Sequence, residues 1–348
     1  MSLIDIRSLN KSELTDILTE RGHKRFRADQ LYDWLHKKQV SSFDEMTNLP
    51  KSFIEDISSI CYISVANIEK KLVSRYDNTI KYLFSLYDGE YVESVVMGYH
   101  HGYSMCISTQ VGCKMGCTFC ATGQGGFTRN LTASEMLGQI ISAQKDLGIR
   151  ISNIVLMGMG EPLDNYDNVL RFLSLVTDND GLCIGARHIT LSTCGLVPKI
   201  YDLADSGFPV TLSLSLHAPY DELRSKTMPV NNKYPIKQVL AACKYYADKT
   251  GRRITYEYAM INGVNDSDRC AYALAQLIKG TLCHVNLIPV NPVQGTGYNP
   301  SKDKRMMSFV NVLSKYNVNA TVRRTLGSDI NASCGQLRGK KIKDKGGV

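Results

Sequence analysis

Residues 112–135 read GCKMGCTFCATGQGGFTRNLTASE and hold three cysteines, Cys113, Cys117 and Cys120, at spacings of four and three. A structural zinc site takes four protein ligands, and a disulfide takes two cysteines. Three thiolates supply three of the four corners of a four-iron cluster and leave one iron open to a small molecule. An open metal position is what catalysis requires, whereas structural sites are closed. Zinc with a fourth ligand from elsewhere, Cys106 or a histidine, is the competing reading, but no second CxxC pair lies nearby to complete it. The aromatic Phe119 before the third cysteine, and a β-rich run, SMCISTQV, leading into the loop, add to the pattern. Thr132–Glu135 (TASE) is a capping box that opens a helix expected through Leu147.

Beyond that helix, short β-rich runs alternate with helical stretches: NIVLMG, RHITLST, VTLSLSL, ITYEYAM and HVNLIPV. With SMCISTQV these make six strands, and the alternation predicts parallel βα units. Six falls short of the eight strands of a closed barrel. The expected α/β fold is an open, partial (β/α)6 barrel with its chemistry at the C-terminal ends of the strands. Upstream, residues 12–60 read as short helices, because LTDILTERG and ADQLYDWLHKK carry apolar residues at helical spacing, punctuated by Gly22 and Pro50. TIKYLFSLYDGEYVESVVM alternates with period two, and Asp88-Gly89 suits its hairpin turn. The expected organisation is a helical accessory domain over 1–70, a β-hairpin linker over 71–98, the barrel core over 99–325, and a C-terminal segment with a basic tail over 326–348.

The chain has 348 residues with 43% apolar content, ample for a large core. No basic stretch followed by an apolar one opens the sequence, and no apolar run is long enough to span a membrane. A cytoplasmic protein is expected, in which eleven cysteines mean buried thiols, metal ligands or nucleophiles. From Ser301 to Val348 there are eleven Lys and Arg against three Asp, so the whole net charge of +8 sits in this last stretch. Such a tail suits a polyanion such as RNA through counterion release, or simply solubilises the chain. HKRFRADQ, starting at His23, is a second basic patch with an aromatic in it.

CxxxCxxC after the first barrel strand resembles radical S-adenosylmethionine (SAM) enzymes. The strings CTFCATGQGGFTRNLTASE, MGMGEPLDNYDNV, SLSLHAPYDELRSKTMPVN and NASCGQL agree in order and spacing with one family. From FRADQLYDWL to CGQLRG the chain resembles the RlmN family of 23S rRNA and tRNA adenosine C2-methyltransferases. The resemblance implies a radical SAM barrel with a [4Fe–4S] cluster on Cys113, Cys117 and Cys120, and SAM on the open iron. It implies SAM contacts from Gly160, Glu161, Ser192, Ser215, Leu216, His217 and Asn291, each at or just past a predicted strand end. Cys334 matches the cysteine that carries the methyl group, Cys106 the one that releases the product, and Glu93 the proton acceptor. The resemblance further implies two SAM per turnover, with 23S rRNA, tRNA and an electron donor of the flavodoxin or ferredoxin type as partners of a monomer.

Taken singly, Cys106 and Cys334 read as small buried hydrophobes and Glu93 as an ordinary exposed strand glutamate. The chemistry accounts for a redox cluster: adenine C2 lies between two ring nitrogens, is electron-poor, and does not attack a methyl sulfonium, but a radical can add there. A Cfr-type C8 methyltransferase shares the three cluster cysteines and the two catalytic ones, while GGFTRNL and GEPL here look RlmN-like. A zinc-binding RNA-binding module without catalysis is the further alternative. Two departures stand out: Cys194 in STCG, where the family usually has another small residue, and Ser333, where alanine is more usual.

Overall fold

The structure, a computed structural model, describes residues 3–293, 295–330, 332 and 337. Leu14 and Leu18 form the buried face of α1 (Lys11–Glu20), which starts at a capping box: Asn10 accepts the Glu13 N–H and the Glu13 carboxylate takes the Asn10 N–H. α2 (Phe26–Tyr32) runs into a π-helical turn over Asp33–Lys37, and α3 (Lys51–Ser58) follows Pro50. The short strands β1 (Ile4–Asp5) and β2 (Cys61–Tyr62) pair in parallel and close this helical region. Buried Arg7 ties it together by donating to the carbonyls of Val40 and Ser64.

β3 (Asn67–Val73), β4 (Thr79–Ser85), β5 (Tyr91–Tyr99) and β6 (Gly102–Cys106) follow as an antiparallel meander. β7 (Gln110–Gly112) and β8 (Phe127–Asn130) form a separate antiparallel ribbon around the cysteine loop. α4 (Ala121–Gln124) lies between them, and α5 (Ala133–Leu147) starts at the expected capping box of Thr132 and Glu135. The remaining strands are β9 (Ile151–Leu156), β10 (Ile189–Thr193), β11 (Thr211–Ser215), β12 (Ile254–Met260), β13 (Cys283–Pro289) and β14 (Ala320–Val322). The connecting helices are α6 (Tyr166–Thr177), α7 (Val197–Asp205), α8 (Asp221–Thr227), α9 (Ile236–Thr250), α10 (Asp268–Ile278) and α11 (Asp303–Lys315).

One ten-stranded sheet has the order β14-β13-β12-β11-β10-β9-β6-β5-β4-β3, parallel from β6 to β14. The six predicted barrel strands are β6 and β9 to β13. β14 adds a seventh, three residues long, too short to show a period in the sequence. SMCISTQV, expected as one strand, is split into β6 and β7. The divisions expected at residues 70 and 98 leave no break in the sheet, since β3 spans the first and β5 turns directly into β6 at the second. Helices and strands share one apolar core, with Ile154, Leu156, Leu191, Leu212, Leu214 and Val285 of the barrel strands buried in it. On the opposite strand face, Val95, Met97 and Cys106 form a smaller cluster with Val155, Met157, Leu326 and Ala332. Among the described residues no helix is long and apolar enough to cross a membrane.

Candidate active site

The cysteine loop is held at both ends by backbone. Gly112 ends β7 at φ +81, and a Cβ there would come within 2.0 Å of the Gly126 carbonyl oxygen, so only glycine lets the two ribbon strands approach. The Cys113 N–H donates to that carbonyl at 2.8 Å, Cys120 N–H donates to the Cys117 carbonyl at 3.2 Å, and Thr118 N–H reaches the Thr227 carbonyl at 2.9 Å. All three thiols are partly exposed. Burial pushes the Cys113 thiol up to about 12; it also raises Cys117, with repulsion from Cys120 and Cys113 adding to it. A cationic group beside them would offset the penalty on the Cys113 and Cys117 thiolates. Among the described residues no three His, Cys, Asp or Glu converge as ligands of one ion. Three thiols within eight residues, with no acid among them, are a donor set that suits an iron–sulfur cluster.

Cys120, His217 and Asn291 line a cavity of about 560 Å³ together with Cys106 and Met157. That volume is within the usual range for a small-molecule site. His217 follows β11 in a left-handed conformation, φ +55, and its Nδ1 accepts the Ala259 N–H at 2.9 Å, which leaves the ring proton on Nε2. Burial, and then Arg224, push its pKa down to about 3, so the ring is neutral; Phe119 of the cysteine loop meets it edge-on at 4.9 Å. Gly160, at φ +103, lies where a Cβ would fall 2.6 Å from the Cβ of Gln110. Glu161 is buried, and burial raises its pKa against the opposing hydrogen bonds. Its carboxylate accepts the Leu163 N–H at 3.1 Å and the Cys194 N–H at 2.7 Å, tying the end of β9 to the end of β10. Ser192 and Ser215 are half-buried on β10 and β11, and Leu216 is fully buried; none of these three, nor Glu161, lines the cavity. Burial, reinforced by Glu161, keeps the Cys194 thiol protonated.

Arg224, which motif reading passed over, fixes this end of the barrel. Fully buried, it donates to the carbonyls of Cys194 (2.6 Å), Ser215 (3.1 Å) and Leu216 (3.1 Å), and so joins the ends of β10 and β11.

Cys106 ends β6 opposite Val95 of β5 and is 7% exposed at the cavity. Glu93 is not the exposed residue its strand position suggested. It is fully buried, 2.9 Å from the equally buried ammonium of Lys81 on β4. Period two puts both on the face that also carries Thr79, Val95 and Met97, which line the cavity. Buried Ser108 donates to the Glu93 carbonyl at 2.6 Å and accepts the Met159 N–H at 2.9 Å. The Gln139 side chain takes the Ser108 N–H and donates to its carbonyl, both at 2.9 Å, which is why the chain leaves the sheet after Cys106.

Beyond β14 the chain crosses back to the β3–β4 turn. Asp329 accepts from the Ser74 hydroxyl and the Arg75 N–H, each at 2.8 Å, and Asp77 accepts the Gly327 N–H at 2.9 Å. Leu326 and Ala332 rest against Val95, Met97 and Cys106, and Leu337 rests against Leu83 and Tyr91. Cys334 and Ser333 lie outside the described residues.

Residues 107–274 match the profile of the Radical SAM superfamily, and residues 4–63 match that of the ribosomal RNA large subunit methyltransferase N-terminal domain. The chain is similar to the probable dual-specificity RNA methyltransferase RlmN of Alkaliphilus oremlandii (strain OhILAs), 55% identical over 344 residues, 99% of this chain and 100% of that one. The protein of the same description from Lachnoclostridium phytofermentans is 53% identical, covering 98% of this chain and 96% of its own. The crystal structure of a radical SAM methyltransferase from Sphaerobacter thermophilus matches with a TM-score of 0.91 and 43% identity, over 96% of this chain and 98% of that one. With a three-cysteine loop, a partial barrel and full-length relatives in agreement, the chain belongs to the RlmN family of radical SAM RNA methyltransferases.

Proposed function

We propose that this protein methylates C2 of an adenosine in both 23S rRNA and tRNA, with Cys334 as methyl carrier, Cys106 as the resolving cysteine and Glu93 as proton acceptor. One observation carries the reading. Cys106 opens onto a cavity shared with Cys120 of the cluster loop, and Ala332, two residues before Cys334, packs on its cluster. Cys113, Cys117 and Cys120 would hold a [4Fe–4S] cluster, whose chemistry is to deliver the electron that cleaves SAM and yields a carbon radical. Gly160 would let the backbone close on SAM, and Glu161 has lone pairs left for its ammonium. Ser192, Ser215 and Leu216 would shape the strand ends around it, and His217 and Asn291 face the same cavity.

In the resolving step the Cys106 thiolate attacks Sγ of a Cys334 joined to the RNA through a methylene. An S–S bond forms and the S–C bond breaks. The electron pair left on the carbon takes a proton, which completes the methyl group, and an external dithiol then reduces the disulfide. Glu93 takes the proton that leaves C2. A proton acceptor this deep needs a counter-charge, and Lys81 supplies one. In this reading two SAM are used per turnover, the chain acts as a cytoplasmic monomer, and a flavodoxin- or ferredoxin-type protein donates electrons.

The test is nucleoside mass spectrometry of rRNA and tRNA from a host stripped of its own enzyme and given this gene. 2-Methyladenosine in both pools is expected. 8-Methyladenosine alone would keep the cysteine roles and overturn the regiochemistry. Neither product, despite iron-loaded protein, would remove RNA as the substrate.

A further inference from the structure

A second cavity of about 300 Å³ adjoins the reaction cavity, and the two share Met97 and Arg323. It opens at the turn between β5 and β6. There Tyr99, 43% exposed, lies almost parallel to the ring of His101, with centroids 5.3 Å apart and planes at 13°. His100 meets His101 edge-on at 4.8 Å. Tyr99 shares a strand face with Met97, and its hydroxyl lies 3.7 Å from the Met97 sulfur, so the ring pair leads directly to the reaction cavity. Arg187 and His188, just before β10, and Arg323, just after β14, line the same groove. His188 is oriented by Asn153, with Nδ1 3.0 Å from Oδ1. Among the described residues no Asp or Glu lines either cavity.

Exposed flat rings beside guanidinium groups, with no acid among them, suit a single-stranded polynucleotide. Its unpaired bases have free faces to stack, and its phosphates need cations. A duplex offers phosphates but no free base faces. We propose that this groove seats a nucleotide next to the target adenosine, its base on the Tyr99–His101 pair and its phosphates against Arg187 and Arg323. The inference rests on the RNA substrate proposed above. Anchoring a neighbour fixes the strand, so that only the target base has to turn into the reaction cavity.

The test measures affinity by fluorescence anisotropy on the cofactor-loaded full chain, with a 5′-labelled anticodon stem–loop RNA and a fully paired RNA of equal length. Tyr99→Ala should weaken stem–loop binding about tenfold and leave the duplex unchanged, and Tyr99→Phe, which keeps the ring, should bind as the parent does. Arg187→Ala should lower the salt dependence by about one phosphate contact. Tyr99 is half exposed at a hairpin end, so an unchanged melting temperature separates these effects from unfolding. Parent-like stem–loop affinity in both Tyr99→Ala and Arg187→Ala would overturn the groove and leave the RNA reading intact, as would an equal loss for loop and duplex. A parent protein that binds neither RNA would overturn the RNA reading and the groove with it.

Discussion

Removing one member of the Lys81–Glu93 pair takes from a fully buried charge the opposite charge 2.9 Å away. Lys81→Met should therefore cost about 3–5 kcal/mol, read as a shift in the urea midpoint. Adding Glu93→Gln should recover most of that loss, because the two side chains then fill the space without a net charge; a double variant no more stable than Lys81→Met would show that shape, and not charge, holds the site. At the cysteines the expectation is an asymmetry. Cys106→Ala should accumulate a covalent protein–RNA species on denaturing gels and Cys334→Ala none, and a species that forms without Cys334 would end its assignment as methyl carrier. These residues were legible to different degrees. The cysteines stand out in the sequence because their spacing and strings are distinctive. Glu93 was readable from its motif alone, which says nothing of depth. A signal for Lys81 did exist: in TIKYL, period two puts it on the same face as Thr79 and Leu83, and a lysine facing inward on a strand calls for an acid on the neighbouring one.

At the scale of elements, the ribbon of β7 and β8 acts as the frame of the cysteine loop. Gly112→Ala would force a Cβ against the Gly126 carbonyl and part the two strands. The expected result is a folded chain that binds markedly less iron and sulfide per molecule on reconstitution; full loading would show that the loop tolerates a displaced frame. The second joint is the clamp on the β3–β4 turn. Asp329→Ala should raise amide exchange over residues 326–330 while the melting of the barrel stays unchanged, because two hydrogen bonds are lost at an exposed site. Six barrel strands were legible, since each is a β-rich run bounded by turn residues. The break after Cys106 was not. It depends on Gln139 and Ser108 bonding across a separation of 31 residues, and no local pattern encodes that. The clamp was illegible for the same reason, with Asp329 and Ser74 separated by 255 positions.

For the whole molecule, acid stability follows from two buried imidazoles. Burial first, then the positive charge of Arg7 or Arg224, push His36 and His217 each down to about 3. The unfolded chain binds protons at these rings below about 6.5, whereas the native one refuses them. Their contribution is thus complete above that pH and declines as pH falls towards 3, by up to about 1.4 kcal/mol per pH unit for each ring. Urea midpoints measured from pH 7 to pH 5 should fall accordingly, and His36→Phe, which retains a ring stacked on Tyr32, should make the decline shallower. An identical slope would mean that another group governs acid sensitivity. The clamp joining residues 327 and 329 to residues 74–77 also has a consequence for biosynthesis. A ribosome synthesises the strands of the sheet and the cysteine loop before it delivers Leu326 and Ala332, which cover Cys106. Until translation passes Ala332, the nascent protein holds Cys106 without its full cover, and a message truncated there would encode no Cys334, the methyl carrier proposed above.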